Sequence, residues 1–170
     1  NSFAQHVTKL KNFFKFLSED ANSDDMTMLD SWIQDFYIDQ NLWVRNPQQN
    51  AQSIRITGLD HDMYPTLRDF VLYANERQRK AERDPRMRLT SNMVTSMNRI
   101  TSTFANIEES KGDMFDGITR FPDLTNEQVV TFNIQGLLAQ GKPIFNAQIY
   151  SVLTLLSADI IKNGMKLRRQ

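Results

Sequence analysis

Six cationic side chains crowd into the stretch from Arg77 to Arg88: Arg77, Arg79, Lys80, Arg83, Arg86 and Arg88, set against Glu76, Glu82 and Asp84. Such a concentration can neutralise the phosphates of a nucleic acid and release their counterions, or it can meet an acidic protein surface. The plainer reading is a solvated helix end whose cations favour the C-terminal dipole. No aromatic residue is interleaved, so base stacking is not suggested. These six are the candidate contact residues for nucleic acid or a partner protein.

Other constellations offer less. His61-Asp62 is like the His-Asp pair of metal phosphohydrolases, but that chemistry needs further His and Asp ligands, and the other histidine is His6. A surface-loop histidine is the plainer reading, and a small metal hydrolase built on His61 and Asp62 would have to bind metal. Asp24-Asp25 reads as helix-cap and dipole stabilisation. Asp30, Asp35 and Asp39 read as a solvated helix face, because their spacing fits no ligand loop. There is no G-x-S-x-G elbow and no G-x-x-x-x-G-K-[ST] phosphate cradle. The chain is therefore expected to hold no catalytic residue, metal site or cofactor of its own.

The elements that must position these residues belong to a chain long enough to bury a sizeable core. Its 170 residues are 40% hydrophobic and 24% charged, with 20 Lys+Arg and 20 Asp+Glu, so no global field draws it to nucleic acid or membrane. The absence of cysteine removes disulfides and thiolate metal sites, and fits a reducing compartment. No signal peptide is expected from these residues. The longest apolar stretch is interrupted by Asn146, Gln148, Ser151 and Asp159 and should not span a bilayer. A first residue of Asn rather than Met hints at a processed or excised fragment.

Helical periodicity runs through most of the sequence. A first helix is predicted over Ser2 to Leu17, with Phe3, Val7, Leu10, Phe14 and Leu17 on one stripe. After a polar break at Glu19 to Asp25, a second runs from Thr27 to Gln40 and places Leu29, Trp32, Ile33, Phe36 and Tyr37 together. Asn41 to Tyr64 reads as a long loop with one short strand at Ser53 to Ile56. The third helix starts at Thr66, with Asp69 completing a variant capping box, and stops at Asp84-Pro85. The fourth covers Thr90 to Ser110, with Met93, Met97, Ile100, Phe104 and Ile107 inward, an uncharged Ser/Thr/Asn exterior, and Lys111-Gly112-Asp113 to end it. Gln128 to Ile134 reads as a strand. Pro143 opens a helix apolar on nearly every side from Ile144 to Ile161, with Asn163-Gly164 as its stop. Such a helix must be buried on several faces.

The class is mainly α: a bundle-like domain of about five helices with one or two short strands. A lone strand followed by an all-round apolar helix looks like one unit of a larger α/β domain. The organisation expected is a helical lobe over 1–127 and a strand plus apolar helix over 128–170.

The order of the pieces resembles a known family. The helix Phe3-Ala4-Gln5-His6-Val7 through Leu10, Phe13 and Phe14, the start Pro65-Thr66-Leu67-Arg68-Asp69, the turn Phe115-Asp116-Gly117 and the segment Val129 to Gly164 are similar to parts of the ATPases of conjugative type IV secretion. That superfamily includes the HerA and FtsK motors. The closest resemblance is to the transport ATPase of conjugative elements in Gram-positive bacteria, with the related coupling protein second. The resemblance implies a mostly helical insert in a RecA-like motor, with residues 128–170 belonging to the motor core. It implies that ATP and Mg are bound by the parent, whose Walker A lysine and Walker B carboxylates lie outside these residues, so this fragment has no ATPase of its own. It further implies a parent hexamer in the cytoplasm, held at the inner face of the membrane through the secretion complex. The partners implied are the rest of the motor, other conjugation proteins and DNA. The alternative reading is a freestanding helical module that binds nucleic acid or a protein.

Overall fold

A computed structural model describes residues 2–56, 59–115 and 131–167, without the side chains of Ser2, His61, Asp113, Ala158, Asp159 and 161–167. The chain is mainly α-helical. The helices are α1 (Ser2–Leu17), α2 (Ser23–Asp39), α3 (Leu67–Arg83), α4 (Ser91–Phe115), the single turn α5 (Gln135–Leu138) and α6 (Lys142–Leu167), with 3₁₀ turns at Ala51–Ser53 and His61–Met63. Among the described residues no helix is long and apolar enough to cross a membrane.

Local chemistry sets the ends. Helix α2 begins four residues before the predicted Thr27, because the Asn22 side chain accepts from the Asp24 and Asp25 N–H groups at 2.9 and 3.1 Å. The Asp25 carboxylate returns the bond to the Asn22 N–H at 2.8 Å, closing a capping box inside what reads as a polar break. At its far end Asn41 takes φ +57°, and two bonds close a Schellman motif: Asn41 N–H to Ile38 and Leu42 N–H to Tyr37, each 2.9 Å. Leu42 is buried by this turn, 7% exposed. Helix α3 starts as predicted, with Thr66 and Asp69 in a reciprocal cap. Helix α4 is broken at Lys111 (φ −142°, ψ +23°), where a stop was expected, and resumes to Phe115.

Neither expected strand is seen among the described residues. Ser53 sits in a 3₁₀ turn, and no strand occurs among the described residues. Thr131 to Ile134 carry no regular structure and are exposed, while 128–130 lie outside the described residues. A β-branched run needs a neighbouring strand to bond its backbone, and none is present among the described residues. Helix α6 also runs through Asn163-Gly164 to Leu167. Its burial is partial: Ala147 is enclosed, whereas Leu153, Leu155 and Ile160 are exposed to solvent.

The chain divides into two compact units, one of residues 1–11 and 20–119, the other of 12–19 and 120–170. In the first, α2, α3 and α4 pack against one another. Its core is aromatic-rich: Phe36, Phe70 and Phe104 meet edge to face at 5.3 and 5.1 Å between centroids. Phe3 stacks on Trp43 at 4.0 Å, and His6 Nε2 lies 2.7 Å from the Tyr37 hydroxyl. Burial and nearby Lys9 push the His6 pKa down, and burial with Tyr64 pushes Tyr37 up to about 12. In the second unit α5 packs on α6, Asn12 donates to the Tyr150 hydroxyl at 3.1 Å, and Phe16 meets the Tyr150 ring at 5.3 Å.

Candidate functional site

Helix α3 buries Phe70, Val71, Ala74 and Ala81, and α4 buries Met97, Ile100, Phe104 and Ile107. The positions beside these stripes are polar on both helices. Where the two polar margins meet they leave a groove of about 680 Å³, lined from α3 by Asn75, Gln78, Arg79 and Glu82 and from α4 by Thr95, Asn98, Arg99, Thr101, Ser102 and Ala105. Ala105 is the only apolar residue in the lining.

Gln78 organises the groove. Its Nε2 donates to Glu82 at 2.8 Å and to Asn98 Oδ1 at 2.7 Å, and its Oε1 lies 2.9 Å from the Thr101 hydroxyl. Both amide hydrogens and the carbonyl are thereby engaged. Arg99, on the α4 wall, is tied to Asp25, whose side chain is fully buried. Burial pushes the Asp25 carboxyl up, but the Ser96 hydroxyl, the Asn22 N–H and Arg99 outweigh it and hold the pKa below the ordinary value.

The six candidate cations fall into distinct settings. Arg77 turns toward α2, pairs with Asp35 at 2.8 Å, donates to the Tyr73 hydroxyl and lies 5.8 Å from the Trp32 ring centre. Burial works against its charge, yet Tyr73 and Asp35 more than offset this and raise its pKa. It is a packing residue of the first unit, which its place in a cationic run does not suggest. Lys80 pairs with Glu76 one turn away at 3.6 Å. Arg79, Arg83, Arg86 and Arg88 are exposed and make no ion pair among the described residues. Arg79 forms the groove wall, and the other three follow along the end of α3 and the segment into α4. The groove's amides and hydroxyls are missing from the sequence-level candidates; their one signal is the uncharged exterior of α4.

The other candidates are placed as follows. Asp25 serves the α2 cap and the Arg99 pair. Asp30 pairs with Lys11 at 2.6 Å, and Asp35 holds Arg77 and, at 3.3 Å, Arg45. No group of three His, Cys, Asp or Glu side chains able to hold a metal occurs among the described residues. The His61 side chain, on which the hydrolase reading depends, lies outside them.

No family model matches this chain, and no solved structure does. The sequence is similar to an uncharacterized protein of Bacillus anthracis, 29% identical over 168 residues, which cover 98% of this chain and 25% of the relative. The chain thus spans about a quarter of the length of the curated relative it matches.

Proposed function

We propose that this chain is the helical domain of a conjugative transfer ATPase of the type IV secretion kind, helping to power or couple DNA or protein translocation without catalysing a reaction itself. The observation that carries the reading is the lopsided match: nearly all of this chain corresponds to a quarter of a longer, plasmid-encoded protein. A plasmid origin suits transfer machinery. The motif string from Phe3 to Gly164 supports the same placement, and the exposed Leu153, Leu155 and Ile160 suit a helix that packs against a motor sheet. In this reading residues 1–127 form the insert and 128–170 join the motor core. ATP and Mg bind elsewhere in a hexameric parent, which works in the cytoplasm against the secretion complex at the membrane.

Intact mass and terminal sequencing of the native polypeptide test this. The expected product is much longer, with a Gly-rich Lys-Ser/Thr loop before these residues and an Asp-Glu strand end soon after them. A native product bounded near residues 1 and 170 overturns it. The freestanding binding module then becomes the better account, favoured by Arg79 on the wall of a polar groove and by Arg83, Arg86 and Arg88 following it, all four exposed and without an ion pair among the described residues.

A further inference from the structure

The α3–α4 groove is electroneutral. Arg79 and Arg99 stand in its lining against Glu82, and the buried Asp25 carboxylate bonded to Arg99 supplies the second negative charge. Arg83, Arg86 and Arg88 are not part of the lining. A run of phosphates would bring repeated negative charge beside Glu82, with Arg79 the one lining cation unpaired among the described residues. The lining does not suit a polyanion.

What the groove offers follows from which of its polar atoms are already bonded. Gln78 is fully used by Glu82, Asn98 and Thr101. Thr95 and Ser102 donate to backbone carbonyls of their own helix at 2.9 and 3.3 Å. The atoms left without a partner among the described residues include two acceptors, Asn75 Oδ1 and Glu82 Oε2, and two donors, the Arg79 guanidinium and Asn98 Nδ2. Both asparagine amides are fixed through their other atom: Asn75 Nδ2 donates to the Val71 carbonyl at 2.9 Å, and Asn98 Oδ1 accepts from Gln78.

Along α3 the unused atoms run acceptor, donor, acceptor at Asn75, Arg79 and Glu82. An extended peptide presents C=O and N–H groups in a matching alternation. From Asn75 to Glu82 the wall is about 10 Å long, room for roughly three extended residues. A helical partner fits poorly. Its backbone groups are bonded within it, and Ala105, the only apolar residue of the lining, gives it no stripe to bury against. Arg79 adds a preference of sign, because it is exposed and Arg83 follows about 6 Å further along the helix, inside the screening length of about 8 Å.

We infer that the α3–α4 groove binds an extended segment of a partner polypeptide, its main chain on Asn75, Glu82 and Asn98 and an acidic side chain on Arg79. This assignment holds whether or not the chain belongs to a transfer ATPase. It gives Arg77 no part in binding, since that guanidinium is taken by Asp35 and Tyr73.

The test is heteronuclear NMR titration of the isotope-labelled 170-residue chain with Ac-Gly-Ser-Glu-Ser-Gly-amide, following the side-chain amide signals of Asn75, Gln78 and Asn98. The same peptide with Lys at its centre should bind about threefold to tenfold more weakly. Methylating its backbone nitrogens should weaken binding at least about tenfold, because Glu82 then has no N–H to accept from. Asn98→Ala should cost roughly twofold to tenfold in affinity for either peptide. Arg79→Glu should reverse the ranking of the Glu and Lys peptides, an outcome that a purely structural role for Arg79 would not produce. Both substituted residues are exposed, and the remaining backbone signals report that the fold is kept.

An unmoved set of groove amides at millimolar peptide overturns the inference, as does an unchanged ranking in the Arg79→Glu variant. Equal binding of the methylated peptide overturns the main-chain part. Identical shifts from acetate or inorganic phosphate would reduce the groove to an anion spot and overturn it too. Displacement of the peptide by a thymidylate octamer, with larger shifts at the same amides, would assign the groove to nucleic acid instead. None of these outcomes bears on the native chain length, so the transfer-ATPase reading stands or falls separately.

Discussion

Replacing Asp25 with Asn should be among the most damaging conservative changes in the first unit. The carboxylate closes the α2 capping box through the Asn22 N–H and carries the ion pair to Arg99 of α4, from a side chain with no solvent exposure. Loss of cap reciprocity costs about 1 kcal/mol. The charge-assisted bond to Arg99 adds about 1.5–3 kcal/mol, toward the lower end because Arg99 is 26% exposed and can recover water. Together these predict about 3 kcal/mol. Trp32 and Trp43 are the only tryptophans and both lie in the first unit, so urea unfolding followed by their fluorescence reports that unit. A double-mutant cycle with Arg99→Met should show coupling of at least about 1 kcal/mol. Acid behaviour supplies a second check. The folded pKa of Asp25 is lowered, so its contribution is present above the unfolded carboxylate value and is lost as pH falls through the folded one. The Asn variant should lose that part of the acid sensitivity. Strictly additive costs in the cycle, or an unaltered acid profile, would refute the assignment of Asp25 as a latch between α2 and α4.

Three further outcomes are expected. Arg77→Ala should cost about 1–2 kcal/mol, from the Asp35 pair, the Tyr73 bond and the cation–π contact to Trp32, measured by the same urea unfolding. Thr66→Ala should cost about 1 kcal/mol by removing the α3 cap, whereas Thr66→Asn should restore most of it in thermal melts. Because the folded pKa of His6 is lowered, its neutral form favours the fold above the ordinary imidazole value, and stability should fall as pH drops below about 6.5. His6→Phe should flatten that limb of a stability-versus-pH series run from pH 7.5 to 5.5, which a null difference would contradict.

What could be read from sequence was local. The bounds of α1 and the Thr66 start follow from residues that are neighbours in the chain, and the structure has both, whereas the stop read at Lys111 is a kink after which α4 resumes. Asp24-Asp25 was legible as a cap, but the α2 start was placed four residues late because nothing in the polar break marks Asn22 as the residue that accepts from the first N–H groups. Gly164 failed as a stop because a single glycine costs a long helix only about 1 kcal/mol. The strand reading, which the described residues 131–134 do not show, rested on β-branched composition, which cannot supply a pairing partner. Arg77 could not be told from Arg79 by spacing, since the decisive contact is Asp35, on a different helix. The groove was legible only as an uncharged exterior on α4; the Gln78 bridge that shapes it spans two helices.

The division of the chain also sets an order of assembly. Consecutive helices α3 and α4 meet soon after emerging, the kind of low-separation contact that forms fast, while the α2–α4 pair Asp25–Arg99 spans 74 residues. The second unit joins residues 12–19 to a segment more than a hundred positions later, and its Asn12–Tyr150 bond spans 138 residues. Closing that loop costs about 1.7 kcal/mol more entropy than closing one of ~20 residues. At ordinary ribosomal speeds Phe16 waits roughly 7–27 s for Tyr150 to be made. During that interval the end of α1 lacks its partner, so a nascent chain halted after α4 should hold a folded first unit and offer the Asn12 to Leu17 segment to chaperones.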